Sequence, residues 1–342
     1  MDTQDTCVIV REATDSAALR RRALAFAAAL AFDETLSGKL ALVVTETATN
    51  LLKHASGGEV ILRAIENGAA AGIEMLALDK GPGIDDVSRC FQDGFSTAGT
   101  SGTGLGAIAR LSQSFDIYSR PGSGTVLMAR LWNRNGSGLP RAANSRFRVG
   151  GVCLPVAGEQ KSGDSWLSQE DVRGLRLTMV DGLGHGNEAN AAAVAAIRTA
   201  RAEIQASATR LIEHIHTALR PTRGGAVAVA EVDPAAGIVR FAGVGNIGAA
   251  IVPESGPVRR LVSHAGTAGH QMYRVHEFTY PWDSSSLLVM HSDGLVSRWS
   301  LDAYPGLMRR HPSVIAGVLY RDFMRGKDDV SVVVVQEVKQ PA

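Results

Sequence analysis

Two groups of residues in this 342-residue sequence have the types and spacing to handle phosphate. The first begins in LSGKLALVVTETATNLLKHA, where Glu46 and Asn50 stand four residues apart. That is about one helical turn, so a carboxylate and an amide project side by side. Such a pair can serve a bound Mg²⁺ and a reacting hydroxyl. Asp79 ends an apolar strand pattern in LDKGPGID, with Gly81 and Gly83 just behind it. A carboxylate there can accept a hydrogen bond from an adenine amino group, and the glycines let the backbone come close to the base. The run STAGTSGTGLGA then places Gly99, Gly102, Thr103, Gly104, Leu105 and Gly106 ahead of a helical pattern. Backbone N–H groups and the dipole at a helix start favour phosphate. Thr125 opens the next strand, in GSGT. No GxxxxGK[ST] occurs, so the glycines do not form a P-loop.

The second group is made of aspartates. A buried-strand pattern, GLRLTMV, runs straight into Asp181 of DGLGHG, where Gly182, Gly184 and Gly186 ask for sharp turns. Asp164 lies in SGDSW, Asp293 follows the apolar run in SSLLVMHSDG, and Asp328 and Asp329 precede VSVVVV. Acids at the ends of hydrophobic strands converge when those strands share a sheet. An oxygen-only set suits Mg²⁺ or Mn²⁺. Two such ions can activate water and clamp a phosphoryl group. Taken singly, a strand-end Asp is an ordinary turn former, Glu46 and Asn50 a solvated helix face, and DxGxG a plain turn. The ordered sets argue against those bland alternatives. The histidines carry less: His54 is read as structural, and His185 as structural or supporting. His214 and His216 are two apart on a helix, so they do not share a face and make no zinc pair. Gly245–Asn246 reads as a tight strand connection.

The elements that must position these groups follow from periodicity. In the first region the pattern predicts strands at 7–11, 59–66, 72–79, 115–120 and 125–132, with helices at 16–32, 36–55 and 105–112. On the second helix Leu40, Val43, Val44, Thr47 and Leu51 share a face apart from Glu46 and Asn50. Long helices beside neighbouring strands predict an α/β sandwich with a largely antiparallel sheet. The polar, Gly- and Pro-containing stretch NRNGSGLPRAANSR, residues 133–146, reads as a linker. Beyond it strands are predicted at 148–154, 175–180, 226–232, 238–242, 247–252, 287–291 and 330–338. One Ala-rich helical region is predicted over 188–219 and a helix over 314–323.

Composition narrows the class. A net charge of +1 leaves no basic footprint for nucleic acid. Cys7, Cys90 and Cys153 form no CxxC pair, which suits a reduced compartment. The start, MDTQDT, lacks the order of a signal peptide, and the apolar run Ala23–Phe32 is too short to span a bilayer. The expectation is a cytoplasmic protein.

In order and spacing, ETATN, DKGPG, GTGLG and GSGT resemble the N, G1, G2 and G3 boxes of the GHKL ATPase superfamily. Within it they resemble the RsbT-like serine kinases of bacterial partner switching, over nearly all of residues 1–132. The resemblance implies a GHKL (Bergerat) α/β sandwich that binds ATP and Mg²⁺. Asn50 would ligate Mg²⁺, Asp79 would read adenine with Thr125 in support through water, and residues 94–104 would form a short lid. Glu46 would act as base on the substrate serine, which suits phosphoryl transfer. No helical hairpin with a phospho-acceptor His precedes the domain, which argues against a sensor histidine kinase.

The order GDS, DGLGHG, GNI, SDGL and DDVSVVV resembles the PPM family of metal-dependent serine/threonine phosphatases, in its SpoIIE/RsbX-like branch, over residues 147–338. That resemblance implies an α-β-β-α sandwich with two Mn²⁺ or Mg²⁺ ions. Asp181 and the Gly182 carbonyl would hold the metals, Asp293 and Asp328 would complete the first site, and Asp164 would bind directly or through water. Asp329 would be a further metal ligand, at a position where many relatives carry Asn. Together the resemblances imply a kinase–phosphatase fusion acting on STAS-domain antagonist or scaffold proteins, with a sigma factor or a signalling enzyme as output. Two rivals stay open: an ATP-gated, anti-sigma-like partner-binding module fused to an active phosphatase, and a phosphatase regulated by nucleotide in a degenerate kinase domain. Glu46 argues against the first, and the intact boxes argue against the second.

Overall fold

The computed structural model describes residues 5–67, 70–87, 89, 104–133 and 145–338. The chain divides into two compact units, Met1–Asn144 and Ser145–Ala342. Most of the expected linker, residues 134–144, lies outside the described residues, as do residues 94–103 of the expected lid.

In the first unit β1 (Thr6–Val10) leads into α1 (Ala13–Ala29), α2 (Glu34–His54), β2 (Gly58–Asn67) and β3 (Ala70–Leu78). Then come α3 (Gly104–Leu111), β4 (Ser114–Ser119) and β5 (Thr125–Trp132). The sheet order is β1-β2-β3-β5-β4, and every pairing is antiparallel. Helix α2 starts where Asp33 accepts the Leu36 N–H at 2.7 Å, an ordinary N-cap. Its buried face carries Leu36, Leu40, Val43, Val44, Thr47 and Leu51, the predicted stripe. That face and Leu19, Ala23 and Ala27 of α1 pack on alternate residues of the sheet, among them Val60, Leu62, Ile73, Met75, Leu127 and Ala129. Burying one helical stripe against one strand face makes the two-layer sandwich.

The second unit holds two five-stranded sheets between helices. Its elements are β6 (Phe147–Leu154), β7 (Asp164–Glu170), β8 (Leu175–Gly182), α4 (Gly186–Ala202), α5 (Ala208–Leu219), β9 (Gly225–Asp233) and β10 (Ile238–Val244). They continue with β11 (Gly248–Val252), β12 (Arg259–Arg260), β13 (Phe278–Pro281), β14 (Leu287–His291), α6 (Pro312–Phe323) and β15 (Val330–Glu337). One sheet runs β13-β10-β9-β8-β7, the other β12-β11-β14-β15-β6. Leu177, Met179, Phe241, Met290, Val333 and Val335 lie in the core between them. Ala193, Ala196, Leu211 and Ile215 of α4 and α5 cover the first sheet through Val180, Val227 and Val229. Helix α6 packs on β6 and β15 of the other. The layers are therefore α-β-β-α, as expected.

Three departures from the sequence expectation have physical causes. The single helix over 188–219 is two helices, interrupted at Glu203–Ala206. Arg176 of β8 donates to the carbonyls of Glu203 (3.2 Å), Ile204 (3.1 Å) and Ala206, holding them out of a helical ladder. Ser207 then caps α5 by accepting the Arg210 N–H. Strand β7, DSWLSQE, was not expected because it is polar and lacks alternation, yet β8 templates it. The short strands β12 and β13 were missed for the same reason, being sheet-edge strands without a buried stripe. No helix among the described residues is long and apolar enough to cross a membrane.

Candidate functional site

In the first unit the expected residues meet where α2, α3 and the β3 and β5 ends come together. Glu46 and Asn50 stand half-buried on α2. The start of α3 sits against both: a Cβ at Gly104 would lie 3.1 Å from Asn50 Oδ1 and 3.1 Å from Glu46 Oε2. A side chain at residue 104 would crowd the ends of both groups, so glycine suits this close approach. Leu105 packs on the core and Ile108 is buried, which anchors α3 there. At the strand ends, Asp79 Oδ1 accepts the Gly81 N–H at 2.8 Å and the Thr125 N–H at 3.2 Å. Asp79 N donates to the Thr125 carbonyl at 3.0 Å, so β3 and β5 fix this carboxylate. Thr125 Oγ1 lies 2.8 Å from Ser119 Oγ, which in turn accepts the Ile84 N–H at 2.9 Å beside Gly83. Ser119 was not singled out from sequence, because a lone serine at a strand end carries no spacing signal. Gly104, Leu105 and Gly106 are described, whereas Gly99, Gly102 and Thr103 lie outside the described residues.

In the second unit the five aspartates gather at one end of the two sheets. Asp164 and Asp181 are register partners on β7 and β8. Asp293 follows β14 and Asp328–Asp329 precedes β15, its antiparallel neighbour. Asp164 is only 4% exposed, and its Oδ2 has no hydrogen-bond partner. Burial, then the neighbouring Asp181, push its carboxyl well above the usual range. Asp181 is pushed up to about 7 by burial and by the charges of Asp293, Asp328 and Asp329. Asp293 is raised by burial and by Asp328, and its Oδ2 accepts from Asn246 Nδ2 at 2.7 Å. Asn246 therefore does more than turn the chain between β10 and β11; the sequence showed the turn but not its distant partner.

Asp329 is bound differently. Its Oδ1 accepts the Val156 N–H at 2.7 Å and its Oδ2 accepts the Gly163 N–H, tying the 156–163 loop across to the other sheet. Both oxygens of this expected metal ligand are engaged by backbone N–H groups, which fixes the carboxylate in place. His185 precedes α4, is exposed, and lies 2.8 Å from Glu159 Oε1 through Nδ1, in keeping with a supporting part. Gly182 ends β8 with its N–H on the Gly163 carbonyl at 2.9 Å. His214 lies 3.2 Å from Glu203, and His216 Nδ1 accepts the Gly269 N–H at 3.0 Å, so the two are engaged separately.

Among the described residues no three His, Cys, Asp or Glu side chains stand close enough together to hold one metal ion between them. The donor set nevertheless fits hard divalent cations: it is all oxygen, mutually repelling, and includes a buried carboxylate oxygen without a partner.

Comparison with known proteins divides along the same line. A histidine kinase-like ATPase domain model matches residues 9–131, and a Stage II sporulation protein E (SpoIIE) model matches residues 171–337. The serine/threonine-protein kinase RsbT of Bacillus subtilis (strain 168) is 31% identical over 129 residues, which is 38% of this chain and 97% of RsbT. A solved chain from work on the bacterial stressosome, described as a modular system adapted to control secondary messenger signaling, is 26% identical with a TM-score of 0.52. That match covers 56% of this chain and 100% of the other. RsbX, solved in complex with magnesium, shares the fold at 20% identity and a TM-score of 0.50, covering 57% of this chain and 97% of RsbX. The chain thus belongs, through its first unit, to the RsbT family of histidine kinase-like ATPase-fold serine/threonine kinases, and its second unit carries a domain that matches the SpoIIE family.

Proposed function

We propose that the chain is a bifunctional partner-switching regulator: its first unit phosphorylates a serine or threonine of a partner protein, and its second removes such a phosphate. In the first site ATP with Mg²⁺ would supply the transferable phosphoryl group and neutralise its charge. Asn50 would hold the Mg²⁺. Asp79, with Gly81, Gly83 and Thr125, would seat the adenine, and residues 102–106 would cover the phosphates. Glu46 would take the proton of the incoming hydroxyl, a task for a carboxylate within hydrogen-bond reach. In the second site two Mn²⁺ or Mg²⁺ ions would supply charge for the phosphoryl oxygens and a more acidic water. Asp181, the Gly182 carbonyl, Asp293 and Asp328 would hold them, Asp164 would join directly or through water, and Asp329 would keep the 156–163 loop in place.

The observation that carries this reading is the charge distribution of the second site: buried, mutually repelling carboxylates, one oxygen of them unpartnered. Such a cluster is costly unless cations occupy it. Likeness to RsbT and to the stressosome chain supports a partner-switching role; we assign STAS-domain proteins as its substrates, with a sigma factor or a signalling enzyme downstream. We place the reaction in the cytoplasm, where ATP is supplied. The presence of Glu46, a carboxylate able to take the hydroxyl proton, favours transfer over mere ATP-gated holding of a partner.

The test uses the full chain, a STAS-domain protein and ATP labelled at its terminal phosphate. Label should enter the substrate with Mg²⁺ and leave it on a chase with Mn²⁺. The Asp293→Asn chain should label the substrate and fail to release the label. Absence of labelling together with absence of ATP binding would sink the kinase half, and release by the Asn variant at the wild-type rate would sink the phosphatase site.

A further inference from the structure

A cleft of about 700 Å³ opens beside the aspartate cluster, lined by Leu183, Gly184, Glu188, Ala191, Pro221, Thr222, Arg223 and His270. Its volume lies in the range of sites that hold a small organic ligand or a few residues of a peptide. Leu183 and Gly184 directly continue the DGLGHG turn from Asp181 and Gly182, so one wall of the cleft is the metal-site loop itself. The facing wall is the α5–β9 loop. Its backbone is fixed to the first wall, because the Leu183 N–H donates to the Gly224 carbonyl at 3.0 Å and Gly225 pairs with Gly182. Thr222 Oγ1 bonds the Leu219 carbonyl at 2.7 Å and the Gly224 N–H at 3.0 Å, and His270 Nε2 donates to the Arg223 carbonyl at 2.8 Å. Arg223 therefore rises from a rigid base.

Its guanidinium does not share that rigidity. Nη1 lies 3.2 Å from where a Cβ would stand on Gly184, and Nε pairs with the carboxylate of Glu188. Both side chains of this pair are exposed, so the pair is weak and exchangeable. A guanidinium prefers a phosphate dianion, which it can bind through two parallel N–H donors. Leu183, 47% exposed, gives the cleft an apolar contact for the chain that carries the phosphate.

We propose that this cleft is the substrate-binding subsite of the phosphatase and takes the phosphoserine or phosphothreonine segment of a protein. Arg223 contacts the phosphate, and Glu188 holds Arg223 in waiting until the phosphate displaces it. The inference rests on the metal-site reading given above. It adds a cation for the substrate, opposite in sign to the aspartates that repel it. Arg223 thus sets affinity for the phosphorylated form, and Glu188 competes with it.

The two members of the ion pair therefore have opposite effects on binding. A fluorescein-labelled phosphoserine decapeptide and its unphosphorylated twin are titrated with the full chain carrying Asp293→Asn, in Mn²⁺, and read by anisotropy. Adding Arg223→Ala should raise the phosphopeptide Kd about tenfold, with Arg223→Lys in between. Adding Glu188→Ala should lower it, and the unphosphorylated peptide should show no such difference. In the chain with Asp293 intact, the same opposite-signed changes should appear in KM. A purely structural ion pair gives equal losses from either side, and that outcome, or no change in either variant, overturns the proposal. Thermal melts of both variants identify a folding defect, in which case Arg223→Lys decides: it restores phosphopeptide affinity in part or the proposal falls. Turnover by Asp293→Asn at the wild-type rate would instead indict the metal-site reading.

Discussion

At the residue scale, chemistry here depends on pairing a group with what it lacks. Asp79 already has two backbone N–H donors on one oxygen, so its orientation is set before any base arrives. Asp79→Asn replaces a charged acceptor with a neutral amide. A hydrogen bond to a charged group contributes about 1.5–3 kcal/mol, so ATP affinity should fall roughly 10- to 100-fold by calorimetry. Undiminished affinity would remove Asp79 from the adenine site. Glu46→Ala, in contrast, should leave ATP binding within a few-fold and cut phosphoryl transfer about 10²- to 10⁴-fold in a labelling assay. Equal losses of binding and transfer would make Glu46 a binding group. For the aspartates, Asp181→Asn relieves repulsion from Asp293, Asp328 and Asp329 while removing a ligand. Its melting temperature without metal should hold or rise, and its Mn²⁺-dependent dephosphorylation should fall about 100-fold or more. A turn-forming Asp with no metal role would show the reverse pattern.

At the element scale, the sites depend on helices coming unusually close to the elements beside them. Helix α3 starts beside Glu46 and Asn50 at a residue without a side chain, which leaves both groups uncrowded. Helix α6 lies on β6 in the same way: a Cβ on Gly150 would stand 2.1 Å from the Ser313 amide nitrogen. No rotamer can relieve a contact with backbone, so α6 must move. Gly150→Ala should cost about 1–3 kcal/mol in urea denaturation of the second unit, the usual cost of overpacking. A change under about 0.5 kcal/mol would mean that α6 is free to slide on the sheet. Strand β15 follows the Asp328–Asp329 turn and lies beside β6, so Mn²⁺-dependent activity should fall along with stability.

At the scale of the whole molecule, two units with separate cores need not fold as one. We propose that residues 133–146 link them and that the 145–342 fragment folds alone and keeps Mn²⁺-dependent phosphatase activity. A fragment with native circular dichroism but no activity would show that the phosphatase depends on the first unit. Cation binding should also stabilise that fragment selectively. At a hundred times Kd a bound ion adds about 2.7 kcal/mol, or roughly 5–10 °C in Tm for a unit of this size. Chelator should reverse the shift, and Asp293→Asn should abolish most of it.

Local chemistry and periodicity were enough to determine which residues could act and which elements carried them. The α2 stripe from Leu40 to Leu51 and the apolar strands running into Asp79, Asp181 and Asp293 were legible because burial imposes a short repeat on the chain. The glycine runs were legible because tight turns and close approaches exclude other residues. Where long-range partners override local preference, the sequence was silent. Arg176 splits one apparent helix into α4 and α5, β8 recruits the polar strand β7, Asn246 reaches Asp293, and Asp329 spends both oxygens on the 156–163 loop. The partners in these cases stand between 5 and 173 residues away, and hydrogen bonds and ion pairs act through space and leave no period in the chain. The Arg223–Glu188 pair over the cleft belongs to this second kind: two ordinary surface residues in the sequence, brought beside the metal-site loop only by the pairing of β8 with β9.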